Sequence, residues 1–240
     1  MKLRLDQALV VRGLISTRSQ AESFIKLGSV QVNGKIVSKA GTLVDEADDV
    51  NLTATEQYVS RAGLKLASIA KILKLDFRDK VVLDVGSSTG GFTDYALQHG
   101  ARKVIAVEVG TDQLHPSLHG HPQIELHEKT DIRDFHTSEV IDIVVADVSF
   151  ISLRDILPSV VKLTNRQTRL AIMVKPQFEA AQSSLKHKGV IKNDAMRRRI
   201  LKDFEEWAHR YFVIVDKADS DVAGAKGNRE RFYLLRPLSD

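Results

Sequence analysis

Val82-Leu83-Asp84-Val85-Gly86-Ser87-Ser88-Thr89-Gly90-Gly91-Phe92-Thr93 passes from an apolar run, through a glycine-rich turn, into a helical pattern that lasts to Gln98. Such a run reads as a strand buried on both faces, and the turn feeds a helix that covers one of them. Outward from it, apolar runs cover 81–85, 104–109, 124–126, 141–146, 170–174, 212–215 and 232–235. Helical stretches at 92–98, 151–163 and 194–210 separate many of them. A further helix over 60–74, with Leu66, Ile69, Ala70 and Leu73 on one face, precedes the set. The pattern predicts an α/β domain with a mostly parallel, doubly wound sheet. Ligands of such a sheet bind outside the carboxyl ends of the strands, where strand order reverses.

In G-x-G-x-x-G terms the turn offers Gly86, Ser88 and Gly91, with serine where a dinucleotide site needs glycine so that backbone can approach a pyrophosphate. Asp84, just before the turn, would repel a pyrophosphate and suits a cationic ligand. The run D-x-G-x-x-x-G-G (84–91) therefore fits S-adenosylmethionine, which carries an ammonium and a sulfonium and no phosphate, better than NAD. Gly86, Ser88, Thr89, Gly91 and Phe92 are the candidate cofactor contacts of the loop. Glu108, 24 residues beyond Asp84 at the second strand end, can accept both hydroxyls of a ribose. Asp131, after the third strand, either meets an adenine amino group or caps a helix.

The fourth strand ends at Asp147-Val148-Ser149-Phe150 and the fifth at Val174-Lys175-Pro176. Base-amino methyltransferases carry (D/N)-P-P-(Y/F/W) after the fourth strand, and no double proline stands there. Cytosine-C5 methylation needs a cysteine, and the chain has none. An oxygen acceptor is the leading choice. A ribose hydroxyl must lose its proton as the methyl arrives, and a lysine serves as base once burial or a neighbouring cation disfavours its ammonium form. Lys175 is placed for that task, Lys65 can supply the cation, and Asp147 can orient Lys175 and face the sulfonium. Glu230, in Gly227-Asn228-Arg229-Glu230, adds a further carboxylate. Taken singly, each lysine reads as a solvated side chain.

Residues 1–40 hold seven Lys/Arg against two acids, more than the whole chain's net charge of +4. A local basic excess is the footprint of polyanion binding, and equally of a solvated face. Leu5, Ala8 and Leu9 keep helical spacing up to Gly13. Thr17 can cap a second helix, with Ala21, Phe24 and Ile25 inward, that ends at Gly28. Val30 and Val32 then lead into Asn33-Gly34, a hairpin signal, before Ile36-Val37. R-L-D-x-x-L (4–9) and T-R-S-Q-A-E-x-x-I-x-x-G-x-V-x-V-N-G (17–34) closely resemble the S4 fold, a small RNA-binding module. That resemblance implies binding of structured RNA, with Arg4, Arg18, Lys26, Lys35 and, beyond the module, Arg61 as candidate contacts.

The remaining features mostly exclude. No stretch approaches the run of about 18 apolar residues that a membrane span needs, and residues 1–6 do not read as a signal peptide, so a cytoplasmic protein is expected. Absence of cysteine removes disulfides, thiolate metal sites and thiol nucleophiles. Asp45, Glu46, Asp48 and Asp49 read as a solvated turn, and His115, His119 and His121 as loop histidines, so no metal is expected. Trp207, at helical spacing with Phe204 and Tyr211, reads as core.

Taken together, S-R-A-G-x-K (60–65), D-V-G-S-S-T-G-G-F-T-D (84–94), D-V-S-F-I-S-L (147–153), V-K-P-Q-F-E (174–179) and G-N-x-E (227–230) resemble the TlyA family in order and spacing. These are FtsJ-like methyltransferases with an amino-terminal S4 domain, whose members often carry the name haemolysin. The resemblance implies a Rossmann-like class I methyltransferase fold with a seven-stranded sheet and a small α+β S4 domain: S4 domain 1–52, linker 53–59, methyltransferase domain 60–240. It also implies S-adenosylmethionine-dependent 2′-O-methylation of cytidine in ribosomal RNA or ribosomal subunits, and Lys65, Asp147, Lys175 and Glu230 fall on the family's K-D-K-E tetrad. Shorter members, of this length, are associated with large-subunit RNA (23S), longer ones also with 16S. This chain departs from the family at Glu108 (usually Asp), Asp131 (usually Asn), residues 180–183 and Ser220-Asp221-Val222. An RNA-binding protein whose methyltransferase fold has lost turnover is the alternative reading, and a haemolysin the third.

Overall fold

A computed structural model describes residues 2–15, 17–26, 28–53, 58–180, 189–222, 224 and 227–238, without the side chains of Ser19, Ser23 and Lys26. Strand β1 (Leu3–Arg4) leads into helix α1 (Leu5–Val11), whose inward face is Leu5, Ala8 and Leu9. Helix α2 (Arg18–Lys26) is capped by the Thr17 hydroxyl, which accepts from the Gln20 N–H at 3.2 Å, and buries Ala21, Phe24 and Ile25. Strands β2 (Val30–Val32) and β3 (Lys35–Ile36) form the expected hairpin. Asn33 and Gly34 have φ of +50° and +75°, the left-handed pair that a two-residue turn of this hand requires. Strand β4 (Leu43–Val44) pairs with β1, and β5 (Val50–Leu52) with β2. The acidic turn between them is held locally: Arg12 donates to the carbonyls of Asp45 and Asp48, and Asp48 accepts from Asn33.

Helix α3 (Arg61–Ala70) starts at Ser60, whose hydroxyl accepts from the Ala62 N–H. The alternation then runs β6 (Val81–Val85), α4 (Gly91–Gln98), β7 (Lys103–Val107), β8 (Ile124–His127), β9 (Ile143–Ala146), α5 (Leu153–Val161), β10 (Arg169–Val174), α6 (Pro176–Glu179), α7 (Asp194–Ala208), β11 (Phe212–Asp219) and β12 (Arg231–Pro237). The seven strands lie in the order β11-β12-β10-β9-β6-β7-β8. Neighbours from β10 to β8 are parallel, and β12 is antiparallel to both β10 and β11. Strand order reverses beside β6, between β7 and β9, so the carboxyl ends there are where a ligand is expected.

Residues of β6 alternate between the two layers. Val82 packs with Leu66, Ile69 and Phe92 of α3 and α4, while Val81, Leu83 and Val85 pack with Ile156 of α5 and Phe204 of α7. The first of these clusters continues through Tyr58 and Leu64 into Leu5, Phe24 and Val30, so the amino-terminal module shares its core with the α3 face of the sheet. Gln20 Nε2 donates to the Tyr58 carbonyl at 2.8 Å across that contact.

Several elements differ from their sequence reading. The helix expected over 60–74 stops at Ala70, and Lys74 takes a φ of +52° that no helix continues through. By contrast, His115, His119 and His121 lie in a loop, as expected, around the 3-10 turn Pro116–Leu118. Strand β11 runs four residues beyond the expected 215, across an irregularity between Ile214 and Asp216. Tyr211 is surface-exposed rather than core, although Trp207 does pack on the buried Phe204. Of the expected linker, 54–57 lies outside the described residues, as do 181–183 of the departing segment 180–183. No helix among the described residues is long and apolar enough to cross a membrane.

Candidate active site

A cleft of about 580 Å³ opens at the carboxyl ends of β6, β7, β9 and β10. On β6, Asp84 faces α4, where the Thr93 hydroxyl donates to one of its oxygens at 2.7 Å. Its other oxygen is buried without a partner. Burial pushes the Asp84 carboxyl up to about 7, against the hydrogen bonds from Thr93, and the charges of Asp147 and Glu108 add to the rise. The loop after it turns through Gly86, at φ +77°, where a Cβ would come within 3.1 Å of Val148 and 3.3 Å of the Asp147 carbonyl. Glycine there lets the two loops close on each other.

The rest of the nucleoside side is mixed. Ser88, Thr89, Phe92, Glu108 and Asp131 all line the cleft. Glu108 is folded back on the loop, accepting from the Ser88 N–H at 2.9 Å and the Gly110 N–H at 2.8 Å, which leaves each oxygen acceptor capacity. Asp131 caps no α-helix. Its carboxylate is gripped by the Arg133 guanidinium at 2.9 and 2.6 Å, which holds it below the usual carboxylate range. Gly91 does not line the cleft. A Cβ there would lie 2.2 Å from the Ser60 hydroxyl and 2.9 Å from the Gly63 nitrogen, so Gly91 is where α4 meets the start of α3.

Four residues far apart in sequence converge beside the cleft. Lys65 comes from α3, Asp147 and Lys175 from the ends of neighbouring strands β9 and β10, and Glu230 from the residue before β12. Lys65 Nζ lies 2.6 Å from Glu230 Oε2 and 3.9 Å from Asp147 Oδ2, and Lys175 Nζ lies 2.5 Å from Asp147 Oδ1. Asp147 and Lys175 reach the cleft wall. All four side chains are 15% exposed or less, and two amines against two carboxylates balance, which is what makes burying them tolerable. At Gly224 a Cβ would stand 2.6 Å from Glu230 Oε1, so glycine lets the chain close over that carboxylate.

Three further residues at the site carried no assigned role in the sequence. Lys175 donates to the Ser149 hydroxyl at 2.7 Å, and its Nζ lies 5.8 Å from the Phe178 ring. Phe150 holds a φ of +66° with its side chain 92% exposed, its ring 5.4 Å from that of Phe178. Ser149 and Phe150 lie within D-V-S-F-I-S-L and Phe178 within V-K-P-Q-F-E, but nothing in either pattern singles them out. Among the described residues no group of three or more His, Asp or Glu converges as a metal site.

A family model for FtsJ-like methyltransferases matches residues 58–236, and one for the S4 domain matches residues 3–50. The chain belongs to the FtsJ-like methyltransferases. Hemolysin A of Brachyspira hyodysenteriae is 36% identical to it over 234 residues, covering 95% of this chain and 97% of that one. The 16S/23S rRNA (cytidine-2′-O)-methyltransferase TlyA of Mycobacterium tuberculosis is 33% identical over 245 residues, covering 100% of this chain and 91% of that one. A solved structure of a Streptococcus thermophilus protein superposes with a TM-score of 0.72 at 33% identity, over 100% of this chain and 89% of that one. This FtsJ-like enzyme is thus of the TlyA kind, with its S4 domain at the amino terminus.

On the S4 domain of this methyltransferase, Arg4 and Arg18 share one partner. The Asp6 carboxylate, fully buried, accepts from Arg4 Nε at 3.1 Å and from Arg18 Nη2 at 2.7 Å, while the two arginine side chains remain about half exposed. Burial alone would raise Asp6, but the hydrogen bonds and charges of Arg18 and Arg4 outweigh it and hold the carboxyl low. Lys35 is exposed on the β2–β3 hairpin, and Arg61 opens α3. The side chain of Lys26 lies outside the described residues.

Proposed function

We propose that this FtsJ-like methyltransferase moves a methyl group from S-adenosylmethionine to the 2′-oxygen of a cytidine in ribosomal RNA, with large-subunit RNA favoured and 16S RNA second. The observation that carries the reading is the convergence of Lys65, Asp147, Lys175 and Glu230 beside a cleft walled by acids. The cleft suits a nucleoside with a cationic tail, because Asp84 keeps a buried oxygen free of any partner and Glu108 keeps acceptor capacity for ribose hydroxyls. Gly86, Ser88, Thr89 and Phe92 form the loop side, Asp131 offers an acceptor beyond its Arg133 contact, and Asp147 faces the reacting end. Gly91, the remaining loop candidate, supports that wall from behind. When bound there, S-adenosylmethionine supplies an electrophilic methyl on a positively charged sulfur.

The chain's own residues do the rest. In its neutral amine form Lys175 Nζ takes the proton of the attacking 2′-hydroxyl and becomes an ammonium, which Asp147 then holds. The Ser149 hydroxyl, also in contact with Lys175, fixes the direction of the amine. Lys65 shares Asp147 with Lys175, so neither amine has that carboxylate to itself, and Glu230 keeps Lys65 in place. Arg4, Arg18, Lys26, Lys35 and Arg61 hold RNA phosphates, with 1–52 acting as the RNA-binding unit, 53–59 as the connection and 60–240 as the catalytic domain. A cytoplasmic location goes with such a substrate.

Purified protein with methyl-labelled S-adenosylmethionine and unmodified ribosomal subunits tests this reading. Label should pass to RNA of the large subunit. Tight RNA binding without any transfer would instead mark a fold that has lost turnover.

A further inference from the structure

Glu179, at the end of α6, is almost fully buried and does not line the cleft. One oxygen accepts from the Ser152 hydroxyl and the other from the Leu153 N–H, both at 2.8 Å, with Arg154 Nε 3.4 Å away. These donors open α5. The first N–H groups of a helix lack partners within it, and a residue of the same loop ordinarily supplies the acceptor. Here Ser152 does so for Arg154, yet Leu153 draws its acceptor from a segment 26 residues away, at the desolvation cost of burying a carboxylate.

The source of that acceptor matters, because residues 175–179 also carry Lys175. Segments 147–153 and 175–179 are therefore tied at both ends. Lys175 grips Asp147 and Ser149 at one end, and Glu179 grips Ser152 and Leu153 at the other. Between the ties Phe150 holds a left-handed φ that a bulky residue adopts only under constraint from its surroundings. We propose that Glu179 is a positioning residue for methyl transfer: through Ser152 and Leu153 it holds the 148–152 loop strained, so that Asp147 and Ser149 keep Lys175 aimed at the acceptor. The inference rests on the function proposed above.

The test compares wild type with Glu179→Gln and Ser152→Ala, using labelled S-adenosylmethionine and ribosomal subunits at a temperature well below melting. Both variants should lose kcat, by about tenfold or more for Glu179→Gln, since small misplacements of reacting groups are costly. The KM for S-adenosylmethionine should stay within about twofold of wild type, the split expected of a group acting on the reacting geometry alone. Hydrogen exchange at the 148–152 amides should quicken in Glu179→Gln whether or not the protein turns over. A lowered melting temperature with unchanged kcat would reduce Glu179 to a helix cap and overturn the proposal. If Glu179→Gln fails to fold, wild-type kcat in Ser152→Ala overturns it equally. An inactive wild type would instead remove the reading on which the proposal rests.

Discussion

Lys175 Nζ and Asp147 Oδ1 lie 2.5 Å apart at the carboxyl ends of β10 and β9, two parallel strands paired directly with each other. Their side chains meet because the sheet sets those strand ends side by side, 28 residues apart in sequence. If Lys175 takes the hydroxyl proton, Lys175→Met should lower the transfer rate by about 10²-fold or more, the usual contribution of a positioned base. Binding of S-adenosylmethionine, measured by calorimetry, should change little. A variant whose rate and affinity fall together would make Lys175 a binding residue.

Lys65 and Glu230 form the most enclosed pair of the cluster, 7% and 3% exposed. Lys65→Met leaves Glu230 buried beside a neutral side chain and should cost about 3–5 kcal/mol of stability in urea unfolding. The double change Lys65→Met with Glu230→Leu should recover much of that stability while remaining inactive. Recovery of activity in the double variant would contradict a role for the pair beyond structure.

Asp84 gives a pH dependence whose sign follows from its burial. Its carboxyl is raised to about 7, so the unliganded protein is increasingly protonated there below that pH. A cationic ligand favours the ionised form, so affinity for S-adenosylmethionine should weaken as pH falls from about 7 to 6, with a proton released on binding. Asp84→Asn should flatten the dependence and lose roughly 10- to 100-fold in affinity, the range for a hydrogen bond to a charged group. Calorimetry at several pH values checks both.

Asp6 allows a test in which charge counting and geometry predict opposite signs. Asp6→Asn removes a negative charge from the S4 domain, and charge alone would tighten RNA binding. If Asp6 sets Arg4 and Arg18 in place, as their shared contacts indicate, binding to ribosomal RNA should weaken despite the added positive charge. Filter binding across a salt series reads the result.

Much of the fold was legible because strands buried on both faces read as continuous apolar runs, and β6, β9 and β10 lie within a few residues of their expected limits. At the site, Lys65, Asp147, Lys175 and Glu230 could be gathered from family motifs, whereas their contacts depend on strand order, which no local pattern encodes. Gly90 and Gly91 are indistinguishable in sequence, yet Gly90 takes a φ of +86° and Gly91 is a packing contact between helices. Asp6 entered the sequence reading as an acid within R-L-D-x-x-L with no role of its own, although burial makes it the anchor of two arginines. Glu179 sat unread inside V-K-P-Q-F-E because a carboxylate in a four-residue helix has no periodicity to betray its direction.

In the proposed reaction the methyl goes to a ribose oxygen with Lys175 as base. The most direct measurement is mass spectrometry of nucleosides released from ribosomal RNA after reaction with wild type and with Lys175→Met. Wild type should add 2′-O-methylcytidine, and Lys175→Met should add almost none in the same time. A methyl found on a base, or 2′-O-methylcytidine formed by Lys175→Met at the wild-type rate, would contradict it.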